Sequence, residues 1–182
     1  MRLENNQLTF KDLEPNSGLS GISYVPQALL KAAALHEVAV GQPFNLTISG
    51  GGTVDAYHWY HDSLKLENAA GSLLSITAID RSSIRDYYVE ITNPQVPGLT
   101  LKSDLQRLEA LATISGSLQN PELTIDKGKV YLLQTSTSGT YDTVAVQTLN
   151  SNNFAFCNVY LRDYLILSEP DTIAYENLLS TF

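Results

Sequence analysis

Cysteine is almost absent from this sequence. Cys157 is the only one, so no intrachain disulfide can hold the chain together, and a cysteine-built metal site has no second thiol to draw on. Cys157 reads as a small apolar residue in a strand rather than a reactive thiol. Charge is also sparse, at 16% of residues, and its balance is −8. An excess of acid argues against nucleic acid or an anionic membrane surface as a partner. No stretch has the length and apolarity of a membrane-crossing helix, which excludes insertion by that route. Met1-Arg2 leads into Leu3-Glu4-Asn5-Asn6 with no apolar run, so no signal peptide is read; the expectation is a fragment whose export signal, if it has one, lies outside this chain.

Several chemistries lack their residues. There is no Gly-x-Ser-x-Gly elbow, phosphate loop, dinucleotide fingerprint or Asp-x-Asp-x-Asp calcium loop. Asp80, Asp86, Asp126, Asp142, Asp163 and Asp171 are scattered, and Asp62 and Glu169-Pro170-Asp171 read as solvated turns. His58 and His61 flank Trp59-Tyr60, but on a strand positions i and i+3 point to opposite faces; His36 adds no third zinc ligand. Asn45-Leu46-Thr47 matches a glycosylation acceptor and equally a plain strand. No catalytic set, cofactor site or metal site is assigned, and the chain is read as non-enzymatic.

What is present is 43% hydrophobic residues arranged with period two. Phe44-x-Leu46-x-Ile48 alternates as a half-buried strand. Ala56 to His61 carries the only tryptophan, Trp59. Leu64 to Leu66, Leu74 to Ile76 and Tyr87 to Thr92 follow as strands, with Asp62-Ser63 as a turn and Ile79 to Ser83 as a corner. Asn93-Pro94-Gln95-Val96-Pro97-Gly98 is a rigid turn, because proline fixes φ and removes a donor. Leu99 to Leu108 is expected as the closing strand. Ala28 to Glu37 reads as linker and first strand, although its Ala/Leu content would also suit a helical turn. From Ala110 the pattern restarts. Strands are expected at Ile114–Leu118, Gly128–Leu133, Tyr141–Thr148, Phe154–Val159 and Asp163–Leu167.

The run from Glu37 to Glu109 resembles an immunoglobulin-like domain, with the four strand motifs above standing as its B, C, E and F strands. The resemblance implies a structural core of Ile48, Trp59, Tyr87 and Val89. Ile48 and Val89 hold the positions where that family often has its two cysteines. Tyr87 is the implied tyrosine corner, its hydroxyl turned back to the backbone near Ile79 to Ser82. Leu3-Glu4-Asn5-Asn6-Gln7-Leu8 carries the Leu-x-x-Asn-x-Leu spacing of a leucine-rich repeat, and also reads as a polar leader with leucines in it. With Ile22-Ser23-Tyr24-Val25-Pro26-Gln27 and Thr92 to Leu101, it resembles the exit from a leucine-rich array in surface proteins of Bacteroidetes type. Thr113 to Phe182 resembles the prealbumin-like sandwich of carboxypeptidase regulatory-like and collagen-adhesin B-type repeats. Arg162 stands where a glycine is usual. In such repeats a lysine can form an isopeptide crosslink; Lys127 or Lys129 is placed for it, but the acceptor strand is missing.

The expected organisation is therefore all-β: a leucine-rich-repeat remnant and linker (1–27), an immunoglobulin-like sandwich (28–109) and a prealbumin-like sandwich (110–182). Ser168 to Phe182 holds no recognisable closing strand, which predicts a bare C-terminal edge and self-association through it. Tyr60, Tyr88 and Tyr131 have outward parity on strands and are the candidate contacts for a protein or glycan, against the plainer reading that tyrosine simply favours strands. The resemblance implies a cell-surface or secreted module that spaces or presents a binding region. The alternative is an accessory module of a secreted hydrolase whose catalytic domain lies elsewhere.

Overall fold

The computed structural model describes residues 1–119, 125 and 127–170. The acids Asp126 and Asp171, and most of the stretch expected to lack a closing strand, lie outside the described residues. The fold is all-β and divides into two units, Met1–Ala110 and Leu111–Phe182.

The first unit is a sandwich. One sheet contains β1 (Ala34–Ala39), the start of β8 (Gln106–Ser117), β6 (Asp86–Thr92), β3 (Ala56–His61) and β4 (Leu64–Lys65), in that order; β7 (Thr100–Lys102) also pairs with β6. The second sheet is β2 (Phe44–Thr47) paired antiparallel with β5 (Leu73–Ile76). This is the strand arrangement of an immunoglobulin-like domain, and period-two burial accounts for it. Phe44 and Leu46 are buried while Asn45 and Thr47 are exposed, and Tyr87, Val89 and Ile91 are buried along β6. Trp59 lies across from Val89 in the ladder, and both are fully buried. Residues Asp62 and Ser63 both take positive φ, 44° and 71°, which turns β3 into β4.

The closing strand differs from expectation. Leu99–Leu108 does not run through, and no new strand starts at Ile114. β7 stops at Lys102, and β8 then continues unbroken from Gln106 to Ser117. Ser103 causes the break: its buried hydroxyl accepts the Val89 N–H at 3.1 Å, replacing a ladder bond with a side-chain one. Gln106 is also buried and donates to the Ala32 carbonyl at 2.8 Å. Between Gln106 and Gly116 there is no glycine or proline, so nothing stops the strand where the composition changes.

The N-terminal segment lies within the first unit. Arg2 and Ser23 form a parallel bridge, an arrangement in which the chain returns alongside itself in the same direction. Backbone bonds continue it: Leu3 N–H to Ser23 O, Asn5 N–H to Pro26 O and Ala28 N–H to Asn6 O, each 2.7 Å. Side-chain amides close the turns. Asn6 donates to the Leu3 carbonyl at 3.0 Å, and Gln27, at the matching place one pass later, donates to both Leu3 O (2.7 Å) and Tyr24 O (2.6 Å). Between the passes a short helix, α1 (Phe10–Leu13), buries Phe10 and Leu13, and the Phe10 N–H reaches Gly50 O at 2.8 Å.

The second unit is also a sandwich. The remainder of β8 pairs antiparallel with β11 (Asn153–Tyr160). Facing them is a three-stranded sheet in the order β10 (Tyr141–Leu149), β9 (Gly128–Thr135), β12 (Leu165–Pro170). Val130, Leu132, Leu149, Phe154 and Phe156 form its core. Gly116 sits opposite Phe154, and a Cβ there would lie 2.8 Å from the ring, so any larger residue has to displace it. Cys157 is on β11 and exposed. Among the described residues β12 pairs only with β9, and Leu165, Ile166 and Leu167 on it are 39–48% exposed.

Candidate functional site

Side chains alternate across a strand, so burying Trp59 and Val89 turns their neighbours outward. On the solvent face of the larger sheet in the first unit, the ladder sets Tyr60 beside Tyr88, His58 beside Glu90, Glu90 beside Lys102, and Tyr60 beside Lys65. Tyr60 and Tyr88 stack with ring centroids 4.9 Å apart and planes 7° from parallel. Lys102 Nζ sits 4.3 Å above the Tyr88 ring and 3.2 Å from Glu90 Oε1. Desolvation among its neighbours, and next the Glu90 carboxylate, push the Tyr60 phenol above its usual range. It therefore remains a neutral hydrogen-bonding group at physiological pH.

The arrangement offers flat apolar ring faces with phenolic hydroxyls, the amines of Lys65 and Lys102 and the carboxylate of Glu90. The stacked pair contributes about 0.5–1.5 kcal/mol beyond its buried area, and Lys102 about 0.5–1 kcal/mol through its position over the ring. Such a platform holds its shape before a partner arrives, so little side-chain entropy is lost on contact. Around its rim, Arg85 bridges Asp62 at 3.0 Å and Arg107 bridges Asp86 at 3.6 Å.

Of the three candidate tyrosines, the structure brings Tyr60 and Tyr88 together. Tyr131 belongs to the second unit. It lies on β9 between Val146 and Leu167, and its hydroxyl donates to Glu169 Oε2 at 2.7 Å. That bond, first among the causes, raises its pKa. The four residues read as core are all buried: Ile48 4%, Trp59 0%, Tyr87 5% and Val89 0% exposed. The indole N–H of Trp59 donates to Gly71 O at 2.8 Å. The Tyr87 hydroxyl donates to Ser83 O at 3.1 Å, one residue past the stretch expected. Ser83 is there because Asp80 caps the preceding turn, accepting the Ser83 N–H at 3.1 Å.

His58 and His61 occupy alternate faces of β3, the latter across from Tyr87. Among the described residues no three histidine, cysteine or acid side chains are grouped for a metal.

Sequence reasoning missed Lys102 and Glu90. The parity of Tyr88-x-Glu90 was a signal, but Lys102 could be placed only once the β6–β7 register was known. It also missed a polar lock. Asn93, 3% exposed, donates to Glu14 Oε1 at 2.6 Å and to Asp55 Oδ1 at 2.7 Å. Glu14 also accepts the Thr53 N–H at 2.7 Å, and Asp55 accepts the Gly52 N–H at 2.8 Å. These bonds fasten the N-terminal segment to the sandwich.

No protein-family model and no curated protein matches the sequence. Among solved structures, the chain is similar to the amphioxus IgVJ-C2 molecule at 10% identity, covering 75% of this chain and 100% of that one, with a TM-score of 0.41. It is similar to immunoglobulin domains 1–5 of Sidekick-1 at 10% identity and a TM-score of 0.39, covering 76% of this chain and 34% of that one. For the N-terminal four immunoglobulin domains of Dscam1 isoform 4.44 the values are 19% identity and 0.35, over 44% of this chain and 21% of that one. The chain thus spans about a fifth of the Dscam1 structure and a third of the Sidekick-1 structure. At TM-scores below 0.5 neither fold nor partner is inferred from them, and the immunoglobulin-like assignment rests on strand order and register.

Proposed function

We propose that this chain is a non-enzymatic adhesion and spacing module of a bacterial cell-surface or secreted protein, and that it engages a protein or glycan through the Tyr60–Tyr88 face. The observation that carries the reading is the stacked tyrosine pair with Lys102 and Glu90 on the solvent side of a sheet. Rigid amphipathic rings rimmed by charge suit both classes of partner. In the same reading, residues 1–27 are the end of a leucine-rich array. The parallel bridge and the matched amides of Asn6 and Gln27 support it, because repeats of that kind stack by such contacts. The second unit is read as prealbumin-like, with self-association through the β12 edge.

The test is a screen of the purified chain against polysaccharides and extracellular-matrix proteins. Tyr60→Ala, Tyr88→Ala and Lys102→Ala are compared with Tyr131→Ala. A saturable hit weakened about tenfold or more by the first three and unchanged by the last supports the reading. A hit indifferent to all four, or no hit at all, overturns it. The second reading, an accessory module of a secreted hydrolase, shares the platform, since ring faces also stack on sugars. Binding restricted to polysaccharide would favour it.

A further inference from the structure

The sheet opposite the tyrosine face has only two strands, β2 and β5, and β5 is unpaired on its far side among the described residues. The register determines which of its backbone groups face outward. The Ile48 N–H donates to Ser72 O at 2.9 Å, which makes Ile48 and Ser72 a bonded pair of the antiparallel ladder. Bonded pairs alternate with unbonded ones. Leu46–Leu74 and Phe44–Ile76 are therefore the next bonded pairs, and Leu73 and Ser75 direct their N–H and C=O groups to the open edge. Ser75 is exposed, and Leu73 is 48% exposed.

Beside this edge is a cavity of about 320 Å³. Leu74 and Ile76 of β5, Leu66 after β4, and Tyr87 give it an apolar wall, and Asn68 and His61 add polar groups. His61 Nδ1 is buried without a hydrogen-bond partner among the described residues; Asp62 Oδ2, at 4.0 Å, is too far to serve as one. Ligand pockets run from roughly 300 to 1,000 Å³, so this one sits at the small end, suited to a side chain rather than a whole small molecule.

We infer that the open edge of β5 and the cavity beside it form a docking groove for an extended peptide segment of a partner protein, whose central side chain, apolar with a polar tip, enters the cavity. A strand added to β5 lies about 4.8 Å away and turns every second side chain inward. Its backbone bonds the free groups of Leu73 and Ser75, and its inward side chain supplies selectivity. The apolar wall with Asn68 and His61 as its polar members makes tyrosine, a ring with a hydroxyl tip, the fitting residue. The segment is neutral or basic, because Glu67 lines the cavity and the chain carries −8. Glu67 also disfavours a second copy as the occupant, because like edges paired here would bring two Glu67 side chains together. The edge belongs to the other sheet, and His61 and Tyr87, which line the cavity, alternate with Tyr60 and Tyr88 along β3 and β6 and so face away from them, which makes the groove distinct from the tyrosine face.

The experiment uses the full chain and a displayed library of octapeptides with a fixed central tyrosine, followed by synthesis of the leading peptide and of its tyrosine-to-alanine counterpart. The expected result is saturable binding that is about tenfold or more weaker for the alanine peptide, with slowed amide exchange at Leu73 and Ser75. Ser75→Pro, which removes an outward N–H at an edge where proline is tolerated, lowers affinity about tenfold. Ala69→Trp, which fills the cavity without touching the edge, does the same, and Tyr60→Ala leaves binding unchanged. No enrichment over an unselected library overturns the proposal, as does binding that spares Leu73 and Ser75. Protection of those amides that rises with chain concentration in the absence of peptide also overturns it, and assigns the edge to a second copy.

Discussion

Replacing Asn93 with alanine removes two donors from two carboxylates at once. Hydrogen bonds to charged groups contribute about 1.5–3 kcal/mol each, so the pair to Glu14 and Asp55 amounts to about 3–6 kcal/mol before any recovery. Asn93 Oδ1 also accepts the Gln95 N–H at 2.8 Å, adding about 1 kcal/mol. Glu14 and Asp55 are only half-buried and regain water in the variant, which returns part of the loss. A net destabilisation of about 3 kcal/mol is expected, read by denaturant unfolding followed through Trp59 fluorescence. The loss has a location as well as a size. Amide exchange should accelerate at Phe10 and Thr53, because Glu14 holds the loop that receives the N-terminal segment. Glu14→Gln, combined with Asn93→Ala, should cost less than the sum of the two. A loss under about 1 kcal/mol, or additivity within about 0.3 kcal/mol, would refute the lock. Unchanged exchange at Phe10 would refute its role in fastening the segment.

Trp59→Ala should cost about 3–5 kcal/mol, since the side chain is wholly buried and its indole bonds Gly71; a loss under about 1 kcal/mol in denaturant unfolding followed by circular dichroism would contradict its place in the core. Burial raises the Tyr87 pKa, so its contribution is fully present below the unfolded value near 10 and lost as pH rises through the folded value. Stability should therefore fall in alkali, and Tyr87→Phe should blunt that fall while costing about 1–3 kcal/mol at neutral pH through the unsatisfied Ser83 carbonyl; equal alkaline sensitivity of both forms counts against this. Gly116→Ala should cost about 1–3 kcal/mol by driving a methyl into Phe154, with partial recovery on adding Phe154→Leu. Recovery is scored by amide exchange at Phe154, and its absence means the clash is relieved elsewhere.

Alternation made β2 and β6 readable, because each buries every second residue, while β3 and β5 were readable from the single apolar residue that each buries fully, Trp59 and Leu74. The outward parity of Tyr60 and Tyr88 followed from the same rule. Their stacking did not, because it depends on how β3 and β6 are paired. The end of the first sandwich was misread for a specific reason. The strand was read straight through Ser103 and Gln106 because alternation does not reveal that the buried Ser103 hydroxyl takes a ladder bond and that buried Gln106 anchors to the Ala32 carbonyl. The lock was not legible at all. Glu14, Asp55 and Asn93 come from three distant segments, and each alone looks like a solvated turn residue. The β5 edge was hidden for a similar reason: a sequence gives the face on which a side chain lies, but not which backbone groups lack a neighbour.

Ile48 and Val89, standing where cross-sheet cysteines are often found, free the first sandwich from redox control. Its cohesion comes from burial, which a reductant does not touch. The unit should therefore reach the same fold in a thiol-rich cytosol as in an oxidising medium, with no isomerase to shuffle its bonds and no unpaired intermediate to be trapped. Its unfolding curve should superimpose with and without dithiothreitol, and any covalent linkage formed on air oxidation must join separate molecules through Cys157.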